Sequence, residues 1–306
     1  MNELVVITTF FNPAKYISNL KNYFIFSNQL KKQNIKLITV ELAFHDDDYC
    51  IPLGPDIYRL HGDSVMWMKE RLINYAVDNL LPDECKYFCW VDADILFPDN
   101  WHLEAIQKFE AGADLLQLFK KVVHLPKGQE RFQGDNIFML QGIVWQKTIH
   151  KNWLPRRLDK SLPFSAPGFA WGAKREFFQH VDGIYDKNII GSGDTFLVDC
   201  LFDSWDIHGY ASKFTNHMKI HMMDWYKTFI QKEINVDYLN IDIFHLWHGS
   251  LKNRGYMSRH DAILNNDYDP INDIKLVDNV YEWNSQKPNM HAEIEAYFFR
   301  RQENNA

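Results

Sequence analysis

The sequence predicts an α/β fold, a mostly parallel sheet flanked by helices, and three observations carry that prediction. Residues 4–9 are a continuous apolar, β-branched run, the composition of a strand buried on both faces. After a helix-length segment at 18–32 comes a second such run, residues 35–40, so the chain opens as strand, helix, strand. A third run, Tyr87-Phe88-Cys89-Trp90-Val91, follows a helical stretch at 65–81 and the turn-forming Pro82-Asp83-Glu84.

The bulk properties agree. At 306 residues the chain can bury a full core, and with 46% hydrophobic and 24% charged residues it is globular rather than disordered. One domain with an elaborated C-terminal half is expected. Cys50, Cys85, Cys89 and Cys200 show neither disulfide-framework nor metal-ligand spacing, which fits reduced thiols. Met1 runs into Asn2-Glu3 and a strand without a charged-then-apolar leader, and no apolar run approaches a membrane span. A cytoplasmic location is therefore expected.

In chain order, the first strand ends at Phe10-Phe11-Asn12-Pro13 and the second is closed by Glu41. Ligands gather beyond the C-terminal ends of strands in a strand–helix–strand unit, which places Thr9, Phe11 and Glu41 at a site. A short third strand at 56–60 precedes the helix at 65–81. Met68, Leu72, Tyr75, Ala76 and Leu80 sit there at core spacing, and Lys69, Arg71 and Asn74 ride beside them.

The run ending in Val91 is then interrupted by Asp92-Ala93-Asp94 and resumes with Ile95-Leu96-Phe97. In extended backbone, carboxylates one residue apart leave on the same face, and two unpaired acids embedded in core-forming sequence are costly unless a cation neutralises them. An all-oxygen pair suits a hard ion, Mg2+ or Mn2+. A helix at 101–111 and a strand at 113–119 follow. Residues 120–160 are basic, with nine Lys/Arg against three Asp/Glu in a chain of net charge −7, and Phe132, Trp145 and Trp153 are interleaved with the cations.

Farther on, residues 167–186 run from Pro167-Gly168 through Trp171 and Gly172 to Gly183 and Asp186, and Gly191-Ser192-Gly193-Asp194 opens an apolar helix. His217 and His221 have an i,i+4 spacing, but no Glu lies between them in a metalloprotease position, and a structural role is expected. His245 and His248 stand close together, and Lys252, Arg254 and Arg259 follow closely. An amphipathic helix is expected near 292–301, with Ile294, Tyr297 and Phe298 on one face.

These blocks, in this order, resemble the GT-A glycosyltransferases, whose Asp-x-Asp motif holds a metal against the diphosphate of a nucleotide sugar. The resemblance covers most of residues 1–254 and implies a GT-A-like, Rossmann-like sheet with an acceptor-side C-terminal region. It implies a nucleotide-sugar-binding half at 1–119, an acceptor-side and catalytic half at 120–266 of the same domain, and a C-terminal helical extension at 267–306. The implied donor is a UDP-sugar. Thr9, Phe11, Glu41, Lys69, Asn74, Asp92 and Ala93 would contact it, and Asp92, Asp94 and one of His245 and His248, with His248 preferred, would hold Mn2+ or Mg2+.

Trp171 and Gly193 would face sugar and acceptor. Asp194 resembles the general base of inverting members. The acceptor would be a glycan or, given the basic stretch, a phosphate-bearing polymer such as modified DNA. Two rival readings are a sugar-nucleotidyltransferase and a non-catalytic sugar- or nucleotide-binding module. The first should open into a Gly-rich loop after its first strand, and Thr8-Thr9-Phe10-Phe11-Asn12-Pro13 contains no Gly.

Overall fold

A computed structural model describes residues 3–131, 138–150, 165–204, 213–231, 233–256 and 258–304. The continuous apolar run at the N-terminus is strand β1 (Leu4–Phe11), and its composition follows from burial on both sides. Val5 and Ile7 enter one core with the helix α2 (Lys69–Asn79), while Leu4 and Val6 enter a second with α1 (Ile17–Lys32). Around β1 lies a seven-stranded sheet. Its order is β11 (Val236–Tyr238), β6 (Leu115–Gln117), β10 (Ala170–Lys174), β4 (Tyr87–Val91), β1, β2 (Lys36–Phe44) and β3 (Ile57–Gly62). All pairs are parallel except those of β10, which runs antiparallel to both neighbours.

A second sheet of five strands, in the order β5 (Ile95–Leu96), β12 (Asp242–His245), β7 (Lys121–His124), β8 (Met139–Gly142) and β9 (Ser165–Ala166), starts where the first strand run is interrupted. The chain leaves the first sheet at Val91 and enters the second at Ile95. Residues 92–94 are therefore a tight turn, closed by Ile95 N donating to Asp92 O at 3.2 Å, and not the extended backbone expected from the sequence. In a turn the two carboxylates need not share a direction. β5 pairs with β12 so that Ile95 faces His245, which brings that histidine beside the turn.

Other boundaries shift for local reasons. β2 runs on to Phe44 because it is paired on both sides, so Glu41 lies inside the strand rather than closing it. α2 starts at Lys69, since Trp67 N is engaged by Ile189 O at 3.0 Å. The segment after residue 267 opens with a hairpin, β13 (Ile274–Val277) and β14 (Val280–Trp283), before α9 (Pro288–Arg300). A proline at the start of α9 fixes its N-terminus four residues earlier than hydrophobic periodicity suggests. Met290, Ile294, Tyr297 and Phe298 of α9 are buried in the main core, and the Phe298 ring stacks on Trp67 and meets Phe11 edge-on. The tail is thus part of the domain's packing. Among the described residues no helix is long and apolar enough to cross a membrane.

One buried side chain bridges the two sheets. Gln117, on β6 and fully buried, donates from Nε2 to Ala166 O at 2.8 Å and accepts from Val144 N at 3.0 Å. Replacing it with Leu strands a buried carbonyl and a buried N–H. Gln117→Leu is expected to lower stability by about 2–4 kcal/mol in urea titrations, with little change in the slope of the transition.

Candidate active site at the junction of the two sheets

Asp94, from the turn after β4, meets His245 and His248 from the end of β12 and the loop beyond it. Asp94 Oδ2 lies 2.8 Å from His248 Nε2 and 3.6 Å from His245 Nε2, and the two imidazole nitrogens are 3.1 Å apart. One ligand atom from each of the three lies within 4.8 Å of the others. Both histidines are buried, and Leu246 N donates to Asp94 O at 2.9 Å, so backbone as well as side chains fix the group.

The donor set fits a divalent metal ion. His248 Nδ1 is 3.0 Å from Glu303 Oε1, and Arg254 Nη2 donates to His248 Nε2 at 2.6 Å. Together these contacts select the Nδ1–H tautomer and leave Nε2, which accepts from Arg254 and lies beside Asp94, as the ring's ligating atom. Asp94 Oδ1 is buried with no hydrogen-bond partner among the described residues, an orphaned acceptor beside two imidazoles. Burial pushes His245 down to about 4, so its ring is neutral at physiological pH and free to ligate. Burial acts upward on Asp94, but His245 and His248 outweigh it and hold its carboxyl well below the usual range.

Asp92 does not join this group. Its Oδ1 lies 2.6 Å from Lys69 Nζ, which also contacts Asp194 Oδ2 at 3.0 Å. Lys69 opens α2, and Asp194 is the second residue of α6 (Gly193–Leu201), so one ammonium ties the turn after β4 to the start of α6. Burial works against its charge, yet Asp194, Asp92 and Glu70 together hold Lys69 firmly protonated. Burial raises Asp92 to about 6, with Lys69 opposing the rise and Asp194 and Asp94 adding to it.

Glu70 completes the cluster. It is almost fully buried, and burial, opposed by Lys69, raises its carboxyl to about 8. Its carboxyl rests on Gly193, where an added Cβ would lie 2.2 Å from Glu70 Oε1. A side chain at 193 would force the Glu70 carboxyl to move, and this contact rather than the backbone angles favours glycine there.

Two cavities meet at Lys69 and Asp92. The first is walled by the end of β1, with Thr9 and Phe11, and by Ala93, Asp94, His245 and His248. The second, with a volume of about 590 Å³, extends past Asp194 toward Phe138, Leu140 and Tyr256. Trp67, Phe169, Arg254 and Arg301 line both.

The structure thus gathers Thr9, Phe11, Lys69, Asp92, Ala93, Asp94, Asp194 and His248, and leaves four candidates aside. Glu41 lines a neighbouring cleft with Tyr49 and Cys50, its Oε1 accepting from Cys50 N and Ile51 N at 2.5 and 3.0 Å. Asn74 holds the Ile184 backbone through both ends of its carboxamide, at 2.8 and 3.0 Å. Five residues after Lys69 on a helix, it points about 140° away from it. Trp171 is fully buried, its Nε1 donating to Pro167 O at 2.8 Å, and Gly193 lies behind Glu70.

Sequence reasoning missed Trp67, Glu70, Arg301 and Glu303. The last two lie beyond the hydrophobic stripe of α9, where no periodic signal marks them. In the basic stretch, Lys120 and Lys121 lie over Trp145, Lys127 over Trp247 and Lys147 over Phe202, three separate rings, and Arg131 is exposed. Phe132, Lys151, Trp153, Arg156, Arg157 and Lys160 lie outside the described residues.

The Glu70 shift has a measurable consequence. An unfolded glutamate titrates near 4.5 and this one near 8, so the folded state loses stability as pH rises between those values. Glu70→Gln removes the penalty. Relative to the parent, this variant is expected to gain roughly 2–4 kcal/mol between pH 5 and pH 8 in denaturant titrations, with no gain at pH 4.

Neither a protein-family model nor a curated protein sequence matches the chain. Among solved structures it is similar to the catalytic domain of Drosophila beta1,4galactosyltransferase 7 in complex with xylobiose, at 12% identity and a TM-score of 0.34, covering 67% of this chain and 62% of that one. A mutant of the same enzyme in complex with manganese, UDP-Gal and xylobiose aligns at 12% identity and a TM-score of 0.32, over 66% and 62% of the two chains. The chain therefore spans less than two thirds of the galactosyltransferase chains it matches. The 4-diphosphocytidyl-2C-methyl-D-erythritol synthase of Anaerococcus prevotii aligns at 10% identity and a TM-score of 0.35, over 78% of this chain and 86% of that one. These are likenesses of chain path, from which no reaction or residue role follows.

Proposed function

We propose that the chain is a metal-dependent glycosyltransferase that moves a sugar from a nucleotide diphosphate sugar, UDP-linked, to an acceptor hydroxyl. The observation that carries this reading is the Asp94, His245 and His248 triad in the wall of the first cavity, beside Lys69 and Asp92 where the second begins, with a separate carboxylate, Asp194, lining the second. Asp94, His245 and His248 would hold a divalent ion, which when bound supplies positive charge against the departing diphosphate. Two imidazoles beside one carboxylate suit manganese or a later transition ion better than magnesium, which prefers an oxygen shell.

The first cavity takes the nucleotide, with Thr9, Phe11 and Ala93 against the nucleoside and Glu41 at the adjoining cleft. Arg254 and Arg301, on the rim shared by both cavities, face the diphosphate. The second cavity takes the acceptor, a glycan or a phosphate-bearing molecule. Lys69 orients Asp92 and Asp194 and leaves the second oxygen of Asp194 free to accept the acceptor hydroxyl's proton as its oxygen bonds to the anomeric carbon. Glu70 holds its proton at neutral pH and is a donor rather than a base. Attack from the face opposite the leaving diphosphate inverts the anomeric centre.

Two variants test the reading. Asp94→Asn keeps the side chain's shape and removes its charge. It is expected to abolish manganese-dependent turnover across a panel of UDP-sugars, and to abolish manganese binding followed by electron paramagnetic resonance. Full activity in this variant, or activity indifferent to chelator, refutes the metal role. Asp194→Asn is expected to lower kcat by about 10²–10⁴ with donor affinity nearly unchanged, the signature of a lost general base. NMR of the product should show the anomer opposite to the donor's, and retention would exclude Asp194 from that role.

A further inference from the structure

Four N–H donors around the larger cavity are buried with no hydrogen-bond partner among the described residues: Trp67 Nε1 and the Nε atoms of Arg254, Arg259 and Arg301. Buried donors are normally satisfied, and four of them around one cavity call for acceptors that the described residues do not supply. Arg254 and Arg301 already have a use. Arg254 touches His248, and Arg301 pairs with Glu303, which in turn holds His248. Both line the nucleotide-side cavity as well, next to the triad.

Arg259 differs. It lines the larger cavity and not the nucleotide-side one, is nine-tenths buried, and has no carboxylate of the described residues within 4.0 Å. Its two Nη atoms donate to neutral groups, Tyr297 OH at 3.0 Å and Ser192 Oγ at 2.5 Å, which aim the guanidinium without neutralising it. The Tyr256 and Tyr297 rings lie 5.3 and 5.8 Å from it. A buried cation among neutral groups is expensive unless an anion completes it. The Nε–H and the unused Nη–H bonds form the planar edge that binds a carboxylate or phosphate in two-point fashion. Ser192, which holds that edge, is two residues from Asp194 on the same wall.

We infer that the acceptor carries an oxyanion, a phosphate or a carboxylate, bound by Arg259 in the larger cavity and distinct from the donor's diphosphate. The inference rests on the nucleotide-sugar reading for the division of the two cavities. It distinguishes Arg259 from Arg254 and Arg301 by place: the latter two stand at the triad, the former at the far wall.

Calorimetric titration of the intact chain with manganese, saturating UDP, and then inorganic phosphate or glucuronate tests it. At least one of the two anions is expected to bind in the presence of UDP. Phosphate alone indicates a phosphorylated acceptor, glucuronate alone a carboxylate-bearing one. Arg259→Gln should weaken that binding about tenfold or more while UDP affinity stays within about twofold. Arg259→Lys, which keeps the charge and loses the fork, should fall between, and it serves where the glutamine variant does not fold. The inference is overturned if neither anion binds beside UDP, if both variants bind the anion as the parent does, or if Arg259→Gln weakens UDP as much as the anion. Should UDP itself not bind, the nucleotide-sugar reading fails on its own, and the phosphate and glucuronate titrations repeated without UDP still decide whether Arg259 holds an oxyanion.

Discussion

The arrangement around the site depends on one ammonium group. Lys69 lies between Asp92, at the end of a central strand, and Asp194, at the start of a helix from the other half of the chain. Such a cluster is costly to desolvate, and its centre cannot be removed without setting two carboxylates against each other. It decides how the two acids of the Asp-x-Asp turn are used. Asp92 is committed to the lysine, and Asp94 is left to the imidazoles. The lysine, standing where the two cavities meet, fixes their relative position.

A second constraint comes from the far end of the described chain. Glu303 reaches back to His248 and sets its tautomer, and the Phe298, Trp67 and Phe11 rings seal the same corner. The carboxylate that orients a candidate metal ligand lies 55 residues from it in sequence. Helix α9 is therefore as much a wall of the site as strand β1 is, and its hydrophobic face serves to deliver the polar residues that follow it.

The parallel centre of the sheet was legible because β1, β2 and β4 are buried on both faces and betray it by composition. The direction of β10 was not, since nothing local distinguishes a strand running with its neighbours from one running against them. The Asp-x-Asp spacing marked the right turn, yet the partition of its two acids depends on Lys69, Asp194, His245 and His248, whose proximity only the fold creates. The resemblance of its block put Trp171 at the acceptor, but alternation along β10 turns it into the core against Trp90. Asn74 shared a helix with Lys69 and not its face. The second histidine of the triad was legible as one of a pair. That both are used follows from the pairing of β12 with β5.

The contact between Glu70 and Gly193 bears on how this site can change over generations. Position 193 depends on position 70: a side chain at 193 would collide with the Glu70 carboxyl, whereas a shorter acid at 70 would open the space that a methyl group at 193 needs. The two residues, far apart in the chain, form a single heritable unit, and a library randomised at both should return compatible pairs more often than independent choices would. A walk through sequence space that enlarges position 193 must therefore pass through a change at position 70.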